Sequence, residues 1–262
     1  MKLGKQKLAT FLVVLVVLTY TPGVRGAAAE IPFKQLSFES NGKRIPIDLY
    51  EPAGDGAHPT ILLLYGAGGL VFDGSRMRVA AQRFVRAGYT VYLLHYFNQT
   101  KTLAAPPWTM RKNFATWLQT VRESIGWIER QQGSSTPIGI YGFSLGGFLA
   151  LAVASDNPEV GAVVEQAGGI ADEKSQPIGH MPSLLLVHGG RDRWVPFKEY
   201  AEPLEVALQE HGIKFETRFF PLEGHKFKPA ALEDARAHAI NFFRRNLHDG
   251  HRYTQRAAEK PR

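Results

Sequence analysis

Residues 137–154, PIGIYGFSLGGFLALAVA, decide the fold. Pro137-Ile138-Gly139-Ile140-Tyr141 is the apolar run of a buried strand, and residues 148–154 are the apolar run of a buried helix. Ser144 stands between them, with Gly142 and Gly146 two residues to either side. A serine at such a junction is either a helix N-cap or a nucleophile. G-x-S-x-G on a strand-to-helix turn is the nucleophile elbow: the turn is tight and the serine is strained. Its hydroxyl points out of the sheet and the helix N-terminus lies beneath it. The backbone N–H of Leu145 then faces any negative charge developing on a substrate oxygen.

Working outward, residues 33–40 and 44–50 alternate apolar and polar around Asn41-Gly42, a hairpin signal. Residues 60–65, TILLLY, read as a strand buried on both faces. Residues 75–87 have a helical pattern, with Met77, Ala80, Ala81, Phe84 and Val85 on one side and Gly88 as the stop. Residues 90–95, TVYLLH, form the next buried strand. Residues 96–108 have no period and contain Pro106-Pro107, which suits a lid or a pocket wall. An amphipathic helix is predicted over 110–131, its Phe114, Trp117, Leu118, Val121, Ile125 and Ile128 packing into the core. Strands follow at 162–166, 183–188 and 215–220, and helices at 198–211 and 230–247. An antiparallel start followed by alternating strand and helix predicts an α/β fold. Its sheet is mixed and mostly parallel, covered on both faces. In such a sheet function gathers at the carboxyl ends of the strands.

The chain of 262 residues has the length of one α/β domain, residues 30–248. It has no cysteine, which excludes disulfides, thiolate zinc sites and a cysteine nucleophile. Residues 1–29 read as a secretory signal peptide: Lys2, Lys5 and Lys7, an apolar stretch over 8–20, then Ala27-Ala28-Ala29 before Glu30. The apolar stretch is shorter than the roughly 20 residues of a membrane span, so cleavage and a secreted or periplasmic protein without a stable span are expected. The formal charge is +7, but that segment holds four basic residues and no acid, leaving +3 on the remainder. This is too little to argue for nucleic acid or an anionic membrane as partner. Residues 249–262 form a polar, basic tail, and Asn98-Gln99-Thr100 is a glycosylation sequon.

A serine hydroxyl needs a base, and the base an orienting acid. On this scaffold the chain order is serine, acid, histidine. Asp192 follows the strand at 183–188 in HGGRDRWVP, and His225 follows the strand at 215–220 in PLEGHKF. Alone, Asp192 suits a turn before a helix and His225 a solvated loop. Together with Ser144 they fall in the required order, each after its own strand. The second oxyanion-hole donor is expected in YGAGGL at 65–70, with Ala67 first and Gly66 second. His95, Tyr96 and Trp194 are candidates for the substrate pocket, and His188 ends a strand outside the base position.

With these residues in view, residues 33–247 resemble the dienelactone hydrolase family of the α/β-hydrolase superfamily. The resemblance is carried by YGAGGL, HYF at 95–97, GFSLGG, HGGRDRWVP and LEGHKF. It implies an eight-stranded sheet, a Ser–His–Asp relay, and hydrolysis of small esters or lactones without metal or cofactor. Family members that act on dienelactone use a cysteine nucleophile supported by a glutamate in the loop after the third strand. Here those positions hold Ser144 and Gly66. The expected partner is therefore a small-molecule ester or lactone, cleaved through an acyl-enzyme. Two rivals stand beside it: a serine peptidase of the same superfamily, and a secreted ligand-binding protein that kept the fold without turnover.

Overall fold

Asn41 and Gly42 reverse the chain with positive φ at both residues, 43° and 70°, as a two-residue hairpin requires. They join β1 (Lys34–Ser40) to β2 (Lys43–Tyr50), antiparallel from Lys34↔Leu49 to Ser40↔Lys43. The computed structural model describes residues 29–54, 56–132, 137–170, 178 and 181–247. The expected tail and, apart from Ala29, the expected signal segment lie outside the described residues.

Six further strands follow: β3 (Thr60–Leu64), β4 (Thr90–Leu94), β5 (Ile138–Phe143), β6 (Val160–Gln166), β7 (Ser183–Gly189) and β8 (Phe215–Phe220). They form one sheet in the order β1-β2-β4-β3-β5-β6-β7-β8. The β2–β4 pair is antiparallel, and every pairing from β4 through β8 is parallel. Each residue of β3 and β5 is buried, which explains their unbroken apolar runs. The edge strand β8 has no fully buried residue.

Around the sheet lie α1 (Gly69–Arg86), α2 (Pro107–Gln132), α3 (Leu145–Ala154), α4 (Phe197–Glu210) and α5 (Pro229–Leu247). The first helix begins six residues before its apolar pattern does. Its first turns bury Asp73 and Gly74 and leave Val71 and Phe72 exposed, so they carry no amphipathic signal. The second helix starts at Pro107, whose fixed φ and missing N–H suit a first helical position.

The expected periodless loop over 96–108 is shorter than predicted. Tyr96–Thr100 form a 3₁₀ turn. The Tyr96 ring stacks on Tyr65 with centroids 4.3 Å apart, and its hydroxyl donates to the Tyr65 carbonyl at 2.8 Å. The Phe97 N–H donates to the Tyr65 hydroxyl at 2.9 Å, and Phe97 packs on Trp117. This segment is an aromatic anchor, not a flap. Among the described residues no helix is long and apolar enough to cross a membrane.

Candidate active site

Ser144 adopts φ 53° and ψ −120°, a conformation L-residues rarely take. The chain must turn here without room for flanking side chains. A Cβ on Gly142 would lie 2.2 Å from the Gly146 carbonyl oxygen, and one on Gly146 would lie 2.2 Å from that of Leu64. The Ser144 side chain makes no capping hydrogen bond to α3. Its Oγ lies instead 2.9 Å from His225 Nε2, and His225 Nδ1 lies 2.8 Å from Asp192 Oδ2. Three side chains from three loops thus form one line of hydrogen bonds.

The acid is held from several sides. The N–H groups of Trp194 and Val195 both donate to Asp192 Oδ1 at 2.9 Å. Burial pushes its carboxyl up, but the hydrogen bond to His225 and the two backbone donors outweigh burial and hold it below the usual carboxylate range. His188, at the end of β7, lies fully buried under this loop and donates Nε2–H to the Val195 carbonyl at 2.7 Å. Burial lowers its pKa, the contacts to Val195 and Asp192 opposing only in part, so it serves as a neutral strut.

Leu145 is the first residue of α3, and its N–H has no acceptor within the helix. Leu145 and Ala67 line the same cleft as Ser144 and His225. The Ala67 carbonyl accepts from the Ala105 N–H at 2.8 Å, which fixes the loop. Gly66 does not line the cleft. A Cβ there would meet Asp73 Oδ2 at 2.9 Å and Ser144 Cβ at 3.1 Å, so a side chain at position 66 would have to displace the Asp73 carboxylate.

The carboxylate crowding that position is one the sequence reading passed over. Asp73 is buried on α1, accepts from the Gly68 N–H at 3.2 Å, and pairs with Lys226 Nζ at 3.2 Å. It ties the loop after β3 to the loop that carries His225. Nothing in the sequence marked it: Asp73 lies ahead of the helical pattern at 75–87, in the first turns of α1, which carry no amphipathic signal.

Of the three pocket candidates, Trp194 lines the cleft and is 81 % exposed. His95 and Tyr96 do not line it, which corrects the expectation. Strand β4 lies beyond β3 as seen from β5, so its end is a strand removed from Ser144. There His95 Nε2 sits 3.0 Å from Asp48 Oδ2 on β2, and Tyr96 is buried in the aromatic anchor. The cleft has a volume of about 1430 Å³ and a mostly apolar wall. Among the described residues no cluster of three or more histidines and carboxylates is placed to hold a metal ion.

An eight-stranded, mostly parallel sheet with a strained serine turn at the end of a central strand defines an α/β hydrolase. The sequence profile of the dienelactone hydrolase family matches residues 46–259, and the chain belongs to that family of hydrolases. The crystal structure of dienelactone hydrolase from Anabaena variabilis is similar with a TM-score of 0.68 and 22% identity, covering 84% of this chain and 100% of that one. The acylaminoacyl peptidase of Pyrococcus horikoshii also reaches 0.68 at 15% identity, covering 84% of this chain and 42% of the peptidase. At these identities the likeness is one of fold. A Yersinia pestis protein named as a carboxymethylenebutenolidase is 29% identical over 110 residues, 38% of this chain and 41% of the relative. The chain thus spans about two fifths of the length of the curated relatives it matches.

Proposed function

We propose that this protein is a serine hydrolase that cleaves small-molecule carboxylic esters or lactones through an acyl-enzyme. The observation that carries the reading is the line from the Ser144 hydroxyl through His225 to Asp192, at 2.9 and 2.8 Å. His225 takes the Ser144 proton as Oγ attacks the carbonyl carbon. The N–H groups of Leu145 and Ala67 receive the oxyanion. His225 then gives the proton to the leaving alcohol and activates water to release the acid. Asp192 fixes the imidazole tautomer and stabilises its charged form. Dienelactone itself is not proposed, because Ser144 and Gly66 stand where family members that act on it carry a cysteine and a glutamate.

A fluorophosphonate probe is expected to label the wild type and to leave Ser144→Ala unlabelled; equal labelling of both would end the proposal. The likeness to an acylaminoacyl peptidase makes peptide cleavage the second reading. Turnover of aminoacyl-anilides above that of p-nitrophenyl esters would favour it. Saturable ligand binding with no product release would point instead to a binding protein. Export belongs to the proposal as well: the mature protein is expected to begin at Glu30, which N-terminal sequencing of the exported chain checks.

A further inference from the structure

We infer that the trough between α2 and α3 is an acyl-chain channel, so that the esters this site takes carry a linear chain of about ten carbons or more. The inference rests on the acyl-enzyme reading of Ser144 and extends it to the substrate's length and shape.

Two stripes build the trough. From α2 come Met110, Phe114, Leu118 and Arg122, spaced four residues apart and so aligned on one helix face. From the opposite side come Leu145, Phe148, Ala152 and Ser155, at spacings of three and four, running along α3 from the residue next to Ser144. Until Arg122 and Ser155 both stripes are apolar. Arg111 joins the same wall beside Met110. Phe114, Leu118 and Phe148 are only half-buried: Phe114 and Leu118 pack against the core, and all three still present apolar surface to the cleft. The trough ends in charge: Arg122 Nη2 pairs with Asp156 Oδ2 at 2.8 Å, and both residues line the cleft.

A trough that begins at a nucleophile and ends at an ion pair measures length. Ten residues of rise from Leu145 to Ser155 give about 15 Å. That is half the roughly 30 Å hydrocarbon thickness of a bilayer, the reach of one leaflet's acyl chain. The occupant must be apolar along its length and must start where the scissile carbonyl sits, which an acyl chain satisfies. At the mouth, Phe72 and Trp194 line the cleft while 69 % and 81 % exposed, apolar surface that a short acyl group would leave in water.

The test is a series of p-nitrophenyl esters from acetate to palmitate. On the wild type kcat/KM is expected to rise by up to about fourfold per added methylene until the trough is filled, then to level off. Leu118→Trp and Ala152→Phe each place bulk about two thirds of the way along, within reach of a decanoyl but not a butyryl chain, and either should lower the decanoate-to-butyrate ratio of kcat/KM at least tenfold. Two variants are used so that one failing to fold, judged by thermal melting, leaves the other. A flat series on the wild type, or equal loss on both esters in a folded variant, overturns the channel. If no ester of any length is turned over and the fluorophosphonate does not label, the catalytic reading fails separately. Binding of a fluorescent fatty acid then decides: saturable binding weakened by Leu118→Trp sustains the channel, and no binding refutes it.

Discussion

At the scale of single residues, the site depends on groups that position others. Asp192 touches no reacting atom, yet it fixes which nitrogen of His225 faces Ser144. Replacing Asp192 with Asn should leave the ring in place and present the wrong tautomer, lowering kcat about 10⁴-fold with little change in KM. Steady-state kinetics on an activated ester checks this. Asp73 acts one step further out. Asp73→Asn removes the charge that pairs with Lys226 while sparing the shape of the side chain. We expect a fall in kcat of about 10-fold with a change in melting temperature of only a few degrees, because two site loops lose a shared tether. A melt lowered as severely as activity would make Asp73 a packing residue instead. The roles proposed for Ser144, Asp192 and His225 could be read from the sequence because each follows its own strand in a fixed order. That of Asp73 could not, since its partners at Gly68 and Lys226 are joined only by folding.

At the scale of elements, the turn between β5 and α3 is the least tolerant feature. A methyl on Gly146 would meet the Leu64 carbonyl oxygen at 2.2 Å, a backbone atom of the neighbouring strand. Gly146→Ala should therefore cost at least about 3 kcal/mol of stability, read from urea unfolding, and should abolish labelling of Ser144. A stable, labelled variant would show that the elbow yields more easily than its geometry implies. The elements whose limits the sequence did not give are instructive. The start of α1 was hidden because its buried face is Asp73 and Gly74, not leucines. Residues 96–108 read as a periodless lid or pocket wall because a single 3₁₀ turn has no period long enough to see: Tyr96 and Phe97 are as buried as strand residues, while Ala105, Pro106 and Pro107 do line the cleft.

At the scale of the whole molecule, one buried acid outside the proposed chemistry shapes the response to pH. Glu165, near the end of β6, is fully buried, and among the described residues its Oε2 accepts only the Gly168 N–H, at 2.7 Å. Burial pushes its carboxyl up to about 8; the Gly168 N–H opposes this, and the charges of Asp192 and Glu205 add to it. The native chain therefore keeps this proton through a range in which the unfolded chain, near 4.5, has lost it. Stability from this group is present at low pH and falls as pH rises through that window, with a slope of up to about 1.4 kcal/mol per pH unit. Glu165→Gln removes the dependence, so its stability relative to wild type should improve from pH 5 to about pH 8 and then level off towards pH 9. Urea midpoints at these pH values measure this; a constant difference would mean that Glu165 is ionised in the native state.

The sequence by itself determined the sheet's central strands, the elbow at Ser144 and the order in which acid and base follow it. These are local: an unbroken apolar run marks a strand covered on both faces, and glycines flanking a serine mark a turn with no room for side chains. Only the tertiary structure decided which strand ends share a site. His95 ends a buried strand as His188 does, yet the order β2-β4-β3-β5 carries His95 away from Ser144 to face Asp48. The trough between α2 and α3 and the tether at Asp73 arise in the same way. Strand neighbours and helix pairings are set by packing between residues far apart in the chain, and no local pattern encodes that choice.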